Sequence, residues 1–536
     1  MHYSDHFRTR SKNPTSTPQT MPMPGKEAVM VKNNANGFVF KADDWKRLQR
    51  FLVLGSEGGS YYVSEKAMTI DNAKVVERCI QVDGEKTVQV IVETSKTGRA
   101  PKNSPAIFAL AMCAASSDEK TRKLALAAMP QVCRTGTHLF EFAEYVQSFR
   151  GWGRTLRNAM ANWYQDKDLD SLSYQLMKYK NRNGWSHRDV LRLAHPKTVD
   201  PIRNMMYKWV TKPETILESA DDSILRLNAS VTTSKSKDVK EVVKLIEEFN
   251  LPRETINTEL LNDVKVWEAL LQEMPMTAMI RNLGKMTSIG LLAPNSKGTL
   301  KVIETLGNKE KLKKARIHPL AVLVALKTYQ QGHGEKGSLS WSPVTSIADA
   351  LDAAFYDAFE FITPTNKRFM LGIDVSGSMD GGTIAGMAGI TPRLAAAAMA
   401  MVTARVEKQN VFKAFSHQLV DLKISARDSL KTVVDEMRKI SFGGTDCALP
   451  IKAATKDKIP VDCFIIYTDC ETYGGQQHVM EALKEYRQKM KIDAKLVVCG
   501  FTSTGFTIAD PSDMNCLDVV GFDTSTPNVI SDFVME

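Results

Sequence analysis

The spacing of apolar residues along the chain changes near residue 360. Before this point apolar positions recur every three or four residues, which predicts amphipathic helices. A helix is expected to begin at Asp43, and others are expected at 105–115, 121–129, 139–150, 155–165, 171–180, 189–193, 199–210, 237–248, 262–271, 275–283, 296–308 and 319–330. Strand signals are confined to a possible pair at 61–63 and 88–92. Repeated helix pairs without a strict period indicate an α-solenoid of HEAT-like repeats.

Beyond residue 361, short apolar runs alternate with helical segments. Strands are predicted at 369–373, 411–415, 463–467, 495–501 and 517–522. Helices are predicted at 394–407, 429–440, 476–489 and 527–534. This alternation is typical of an α/β doubly wound, mostly parallel sheet, in which ligands bind at the carboxyl ends of the strands.

Length, composition and charge suggest three regions in the 536 residues. We predict a flexible N-terminal arm over 1–40, a helical domain over 41–360 and an α/β domain over 361–536. Of 70 basic and 61 acidic residues, the last region holds 19 and 21, leaving 51 and 40 before it. The net charge is therefore +11 in front and −2 behind. A positive excess favours a polyanionic partner, although an ordinary solvated basic face is an open alternative.

Oxygen-bearing side chains follow two of the predicted strands. Asp374, Ser376 and Ser378 come directly after the first strand, and Asp469 ends the strand at 463–467. Thr445 lies in a glycine-rich turn between them. Carboxylate and hydroxyl oxygens suit a hard divalent cation. Because so few ligands leave several positions for water, the set favours Mg²⁺ over Ca²⁺. The alternative is that Asp and Ser only cap a helix or close a turn.

This order of DxSxS, a distant Thr and a final Thr-Asp resembles the metal-ion-dependent adhesion site of von Willebrand factor A domains. The resemblance implies direct metal contacts from Ser376, Ser378 and Thr445, with Asp374 and Asp469 acting mostly through water. It also implies a possible acidic protein ligand. One position departs from the family, because Cys470 stands where Gly is usual, and a positive φ is less accessible there.

Cations alternate with aromatic and amide side chains between residues 178 and 197. Such a mixture suits RNA, because Lys and Arg bind phosphates, aromatic rings stack on unpaired bases and Asn reads base edges. Alternatively, Tyr179 and Trp185 pack between helices while the charges face water. His187 precedes Asp189 at a predicted helix start and could belong to a helix cap.

Several classes of protein are disfavoured by the sequence. The eight cysteines form no CxxC pair and are expected to be reduced core residues. No apolar N-terminal segment and no run of ~20 apolar residues is present, so we expect a cytoplasmic or nuclear protein without a membrane contact. No phosphate-binding loop or nucleophile elbow is found, and no enzymatic activity is expected.

The two halves together resemble the Ro ribonucleoproteins of the TROVE family. The resemblance rests on KYKNRNGWSHRDVLRLAHPK, MPMTAMIRNLGKM and DVSGSM. It implies a ring of HEAT-like repeats closed by the A domain, binding Y RNAs on a basic surface and the single-stranded 3′ ends of misfolded small noncoding RNAs. By motif position, the RNA contacts would fall around Lys178, Lys180, Arg182, His187, Arg188 and Arg192.

The leading hypothesis is therefore a noncatalytic RNA-binding protein of RNA quality control. A second hypothesis is a Mg²⁺-dependent protein adaptor that acts mainly through the A domain, with the helical half as a protein scaffold.

Overall fold

A computed structural model describes residues 16–213, 215–334, 337–359, 362–387, 389–420, 422–440 and 443–536. They form two compact units. The first, here called the helical unit, is Ala73–Phe359. The second, the sheet unit, combines the described residues of Met1–Asn72 and Glu360–Glu536.

Helices account for most of the helical unit. In chain order the helices of the whole chain are α1 (Asp44–Leu54), α2 (Glu65–Thr97), α3 (Ser104–Ala115), α4 (Glu119–Val132), α5 (Gly136–Phe149), α6 (Arg154–Gln165), α7 (Leu169–Lys178), α8 (His187–Ala194), α9 (Pro201–Thr211), α10 (Asp222–Lys235), α11 (Val239–Phe249), α12 (Val264–Gln272), α13 (Met276–Ser288), α14 (Lys297–Leu306), α15 (Lys309–Lys314), α16 (Pro319–Gln331), α17 (Thr345–Asp357), α18 (Pro392–Val406), α19 (Leu430–Arg438), α20 (Leu449–Lys456), α21 (Val479–Met490) and α22 (Thr526–Met535).

Polar side chains define where many of these helices begin. Asp118 accepts the backbone N–H of Thr121 at 2.7 Å before α4, and Asp168 accepts that of Ser171 at 2.7 Å before α7. Such caps satisfy N–H groups that have no partner within the helix. Neighbouring helices then pack in pairs: α3 against α4 and α5, α6 against α8, and α10 against α7 and α11. The predicted helical-repeat region is confirmed.

The possible β pair in this half is wrong. Residues 88–92 lie inside α2, and residues 61–63 form no strand. α2 departs from helical geometry only at Asp83, where φ is −157° and ψ is 90°. Five helices of the described residues were absent from the sequence prediction: α2, α10, α15, α17 and α20.

The sheet unit contains the predicted doubly wound sheet. The strands of the chain are β1 (Met30–Lys32), β2 (Phe38–Lys41), β3 (Asn181–Arg182), β4 (Trp185–Ser186), β5 (Arg368–Asp374), β6 (Gln409–Phe415), β7 (Leu419–Val420), β8 (Cys463–Thr468), β9 (Lys495–Gly500), β10 (Phe506–Thr507) and β11 (Cys516–Val520). Six form one sheet in the order β11-β9-β8-β5-β6-β7, parallel except for β7. Ile373 pairs with Tyr467, so β5 and β8 end at the same edge.

Part of the predicted N-terminal arm belongs to this unit. β1 pairs with β2, and β2 pairs with β10, both antiparallel. Further along, the buried Arg50 side chain donates to both carboxylate oxygens of Asp518 at 2.7 and 2.8 Å. Within the described residues from 16 to 40, β1, β2 and Gln19 are thus held by contacts in the sheet unit, which corrects the expectation of a flexible arm at these positions.

All eight cysteines carry free thiols, and all but Cys516 are buried, as predicted. Burial raises the pKa of Cys113 to about 12, so this thiol stays protonated and unreactive. Within the described part of the chain, no helix combines the length and the apolar character needed to cross a membrane.

Candidate nucleic-acid interface and metal centre

A short hairpin carries part of the predicted RNA-contact set. β3 and β4 pair through Arg182 and Trp185, and the connecting residues Asn183 and Gly184 have φ angles of 51° and 78°. An Asn-Gly pair suits such a two-residue turn because both residues tolerate positive φ. The hairpin leaves the Arg182 side chain exposed beside the turn.

α8 begins directly after the hairpin. The Ser186 backbone N–H donates to the Asp189 carboxylate at 3.0 Å, and the Asp189 N–H donates to the Ser186 hydroxyl at 3.4 Å. This capping box starts the helix at His187. Arg188 and Arg192 are four residues apart, so they lie on the same face of α8, and both are exposed.

Exposed cations without an acidic partner lie on the hairpin, on α8 and at the residue before the hairpin. Four predicted contacts are exposed: Lys180, Arg182, Arg188 and Arg192. Among the described residues, none of the four forms an ion pair. Some basic residues elsewhere in the helical unit are neutralised: Lys120 by Glu85 at 2.6 Å, Lys123 by Glu119 at 2.7 Å and Lys309 by Asp357 at 2.8 Å. The four cations, which we call the cationic surface, are therefore available to phosphates.

Lys178 lies in a different environment from these four residues. Its Nζ donates to the Tyr174 hydroxyl at 3.0 Å and lies 5.6 Å from the centre of the Tyr179 ring. Burial lowers the pKa of Lys178, but the contacts with Tyr174 and Tyr179 outweigh this effect and leave it raised. Lys178 lines a separate cavity of about 700 Å³. It is a charged residue held beside two tyrosine rings.

His187 is a core residue and is removed from the predicted contact set. Its side chain is only 3% exposed. Its Nδ1 lies 2.9 Å from the Tyr164 hydroxyl and its Nε2 lies 3.2 Å from the Gln175 carbonyl. Burial lowers the pKa of His187 to about 4, so the ring is neutral at physiological pH. Neither nitrogen is free to contact RNA.

The aromatic side chains of this stretch have intermediate exposure. Trp185 is half-buried and stacks on Trp152, with ring centres 5.6 Å apart and an angle of 28° between the planes. Tyr179 is also partly buried. Trp185 therefore packs on one side against Trp152, as the packing alternative predicted, and keeps part of its ring accessible, as RNA stacking requires.

Hydrogen bonds connect four of the predicted metal ligands in the sheet unit. Asp374 ends β5, and its carboxylate accepts the backbone N–H of Ser376 at 2.9 Å and the Thr468 hydroxyl at 2.6 Å. The hydroxyls of Ser376 and Ser378 are 3.1 Å apart, and Ser378 donates to Asp469. Asp374 is 0% exposed and Asp469 is 2% exposed.

The two carboxylates are held without an adequate counterion. Burial raises the pKa of Asp374, despite hydrogen bonds and the nearby Arg393 guanidinium. Burial also raises the pKa of Asp469, and the charges of Asp374 and Glu471 raise it further. Two buried carboxylates close together repel each other unless a cation or a proton neutralises them.

Thr445 lies on a neighbouring loop that is bound to the loop after Asp469. The Thr445 carbonyl accepts the backbone N–H groups of Tyr473 and Gly474 at 3.0 and 2.8 Å. Its hydroxyl makes no hydrogen bond with a described residue. No cluster of three or more His, Cys, Asp or Glu side chains that could hold a metal is found among the described residues. The candidate metal ligands are two carboxylates and three hydroxyls, and such oxygen ligands fit a hard cation better than a soft one.

Cys470 adopts the conformation for which the A-domain family uses Gly. Its φ angle is 65°, although a left-handed conformation costs a non-glycine residue roughly 1–2 kcal/mol. The Thr468 hydroxyl accepts its N–H at 3.0 Å, and the Asn33 side chain donates to its carbonyl at 3.2 Å. The surrounding contacts therefore hold the loop in the family's geometry without Gly.

Sequence reasoning missed the contribution of the N-terminal segment to this site. The buried Gln19 amide donates to Asp446 at 2.8 Å and accepts the Thr472 hydroxyl at 2.6 Å. Asn33 also donates to the Thr472 carbonyl at 2.8 Å. These residues connect the loops of Thr445 and Asp469 across more than 400 positions of sequence, and no local pattern signals such contacts.

Comparison with known proteins gives a consistent result. A family model described as the TROVE domain matches residues 31–250 and 244–367, and one described as the Ro60 vWA domain matches 368–534. A Deinococcus radiodurans protein named RNA-binding protein RO60 is 40% identical over 527 residues, covering 98% of both chains. A Caenorhabditis elegans protein of the same name is 36% identical over 581 residues, covering 94% of this chain and 90% of its own.

A solved structure is similar over nearly the same extent. The crystal structure of the Deinococcus radiodurans RO (RSR) protein is 40% identical and matches with a TM-score of 0.70. The match covers 92% of this chain and 99% of that one.

Proposed function

Because this chain belongs to the TROVE-domain Ro60 family, whose relatives are named RNA-binding proteins, we propose that its helical unit binds RNA through the cationic surface. The observation that carries the proposal is the absence of acidic partners for Lys180, Arg182, Arg188 and Arg192 among the described residues. When exposed, unpaired cations bind RNA phosphates, the counterions condensed on the RNA are released, and this release favours binding. The salt dependence of RNA binding by variants lacking these cations tests the proposal.

The RNA ligands we propose are Y RNAs and the single-stranded 3′ ends of misfolded small noncoding RNAs, with a role in RNA quality control. Resemblance to the family supports this choice. The hairpin and α8 present cations and a half-buried indole together, a combination that fits the backbone of structured RNA next to an unpaired base. Binding without catalysis is sufficient for this role.

We also propose that the sheet unit binds a divalent cation, with Mg²⁺ as the expected ion. Ser376, Ser378 and Thr445 would hold it directly, and Asp374 and Asp469 would act mostly through water. The pair of buried carboxylates supports this proposal, because a divalent cation would neutralise their repulsion.

An acidic protein ligand at this cation is a second candidate function, which corresponds to the adaptor hypothesis. Tyr61, Tyr62 and Tyr473 are exposed. Partial burial raises the pKa of Tyr62, and the charges of Glu471, Tyr473 and Asp469 also raise it, which places this tyrosine beside the metal-site loop. Aromatic side chains near an incomplete cation shell suit a partner that supplies a carboxylate.

Mg²⁺ should stabilise the protein through this site. At a concentration about 100 times its Kd, a ligand of the native state adds ~2.7 kcal/mol to the free energy of unfolding. For a unit of this size the thermal midpoint should rise by roughly 5–10 °C, as measured by differential scanning fluorimetry. Asp374→Asn should abolish the rise without lowering the midpoint in EDTA, because it removes one of two repelling charges. Asp493→Asn, at an exposed carboxylate, is the matched control and should keep the full rise. An equal Mg²⁺ response in the Asp374 variant would contradict the site.

A further inference from the structure

We infer that the N-terminal segment positions the cation site of the sheet unit, so that docking of this segment and binding of the cation stabilise each other. The segment is the described stretch from residue 16 to residue 41, here called the N-terminal strap. The inference deepens the proposed cation binding and rests on it. Gln19 and Asn33 are the positioning residues, because they contact the loops that carry the candidate ligands and are not ligands themselves.

One buried amide joins the two loops that carry Thr445 and Asp469. The Gln19 side chain is 0% exposed. Its Nε2 donates to the Asp446 carboxylate at 2.8 Å, and its Oε1 accepts the Thr472 hydroxyl at 2.6 Å. Asp446 directly follows Thr445, and Thr472 belongs to the loop that begins at Asp469. A third segment, distant in sequence from both loops, therefore fixes the position of one relative to the other.

Further hydrogen bonds use the remaining polar groups of Gln19. Its Oε1 also accepts the Gly475 N–H at 3.1 Å, and its Nε2 also donates to the Gln477 carbonyl at 2.9 Å. The backbone N–H of Gln19 donates to the Gly475 carbonyl at 2.9 Å. A Cβ atom at Gly475 would lie only 2.6 Å from Nε2, so the close approach requires glycine. If the strap left, several buried polar groups of the loops would lose their partners, which is unfavourable.

A turn of the strap binds the segment directly after the final candidate ligand. The Asn33 side chain donates to the carbonyls of Cys470 and Thr472 at 3.2 and 2.8 Å. The next side chain, that of Asn34, donates to the Glu471 carboxylate at 2.6 Å. Residues that orient metal ligands without touching the metal typically contribute 10–100-fold to metal affinity. The strap is placed to act in this way on two loops at once.

Cation binding and strap docking are therefore expected to be coupled. Bound Mg²⁺ would favour the arrangement of loops that holds its ligands together, and this is the arrangement to which the strap is hydrogen-bonded. Such a coupling is reciprocal, because each binding event favours the same state of the loops. A strap that is altered should weaken cation binding, and removal of the cation should loosen the strap.

Isothermal titration calorimetry of the full chain with MgCl₂ tests the first direction. Gln19→Met keeps the length of the side chain and removes its hydrogen bonds, so it should raise the Kd for Mg²⁺ by about tenfold. Thr472→Val removes the hydroxyl that Gln19 accepts and should have a similar effect. Thr472→Ser retains a hydroxyl and should keep the Kd of the unaltered chain.

Tyr486→Phe is the matched control for a loss of stability in the same unit. The buried Tyr486 hydroxyl accepts the Val461 N–H at 2.6 Å and donates to the Ile459 carbonyl at 2.9 Å. These partners precede β8, at the edge of the sheet opposite to Asp469. The control should lower the thermal midpoint and leave the Kd for Mg²⁺ unchanged. An equal Kd for the Gln19 variant and the unaltered chain would overturn the positioning role.

Hydrogen–deuterium exchange of the unaltered chain tests the reciprocal direction without any substitution, so it decides the matter even if a variant fails to fold. Mg²⁺ should slow exchange about tenfold at the Gln19 N–H and at the Phe38 N–H, which donates to the Gln19 carbonyl at 2.7 Å. Amides of the helical unit should not respond. If Mg²⁺ bound and strap exchange did not change, the coupling would be overturned and the cation site would stand. If the unaltered chain bound no Mg²⁺, both proposals would be overturned.

Discussion

Replacing Lys180, Arg182 and Arg188 by glutamine is expected to weaken RNA binding by at least on the order of a hundredfold near physiological salt. Each side chain is exposed and lacks an ion-pair partner among the described residues, so its charge is available to a phosphate. Each lost phosphate contact should also reduce the slope of log K against log salt by about one. Filter binding of a structured RNA over a series of salt concentrations measures both quantities.

A control with the same change in net charge separates local contacts from general attraction. Lys120, Lys123 and Lys309 each form an ion pair with an acidic side chain of the same unit. Replacing these three by glutamine should leave the slope nearly unchanged, because their charges are already compensated. If both triple variants lost affinity equally, a diffuse electrostatic attraction would explain binding and the cationic surface would not.

The stability of the helical unit should decrease steeply in mild acid. Burial lowers the pKa of both His187 and His138 to about 4, from the ordinary histidine value of 6.5. The unfolded chain therefore binds protons at a higher pH than the folded one. The contribution of the neutral rings is fully present above pH 6.5 and is lost as the pH falls towards 4. Each ring can account for up to about 3 kcal/mol of this loss.

Urea unfolding between about pH 7 and pH 4 measures this effect. His138→Leu should flatten the pH dependence of the unfolding free energy, because a non-titrating side chain replaces a ring whose Nδ1 has no hydrogen-bond partner among the described residues. His333→Gln, at an exposed position, should leave the pH dependence unchanged. The same acid sensitivity in the His138 variant would show that this ring does not titrate on unfolding.

The five parallel strands of the sheet unit and four of its helices could be predicted from sequence, whereas β1, β2, β7, β10 and α20 were missed. Its central strands are continuous apolar runs such as Cys463–Thr468, buried along their whole length between helices. Runs of this kind, bounded by turn residues and alternating with amphipathic helices, have few alternative structures. For the same reason Asp374 and Asp469 were correctly placed at strand ends.

The helical unit was harder to predict from sequence, because its secondary-structure signals are local and ambiguous. Val88, Val90, Ile91 and Val92 have high β-propensity, yet they lie in α2, where Val88 and Ile91 are buried against neighbouring helices. Tertiary packing outweighs propensity in such a case. β3 and β4 are two residues each, too short to give a periodic pattern.

The candidate RNA surface was predicted in part. Residue type located the cations, but only the structure separates exposed Arg188 from buried His187 one position earlier, because the capping box sets the helical phase.

Ultraviolet crosslinking of RNA in cells, followed by mass spectrometry of the crosslinked peptides, tests the RNA-binding surface most directly. The account predicts crosslinks concentrated between Tyr174 and Arg192, where aromatic rings lie beside the cationic surface. Crosslinks confined to the sheet unit, or to peptides around Lys120 and Lys309, would contradict it.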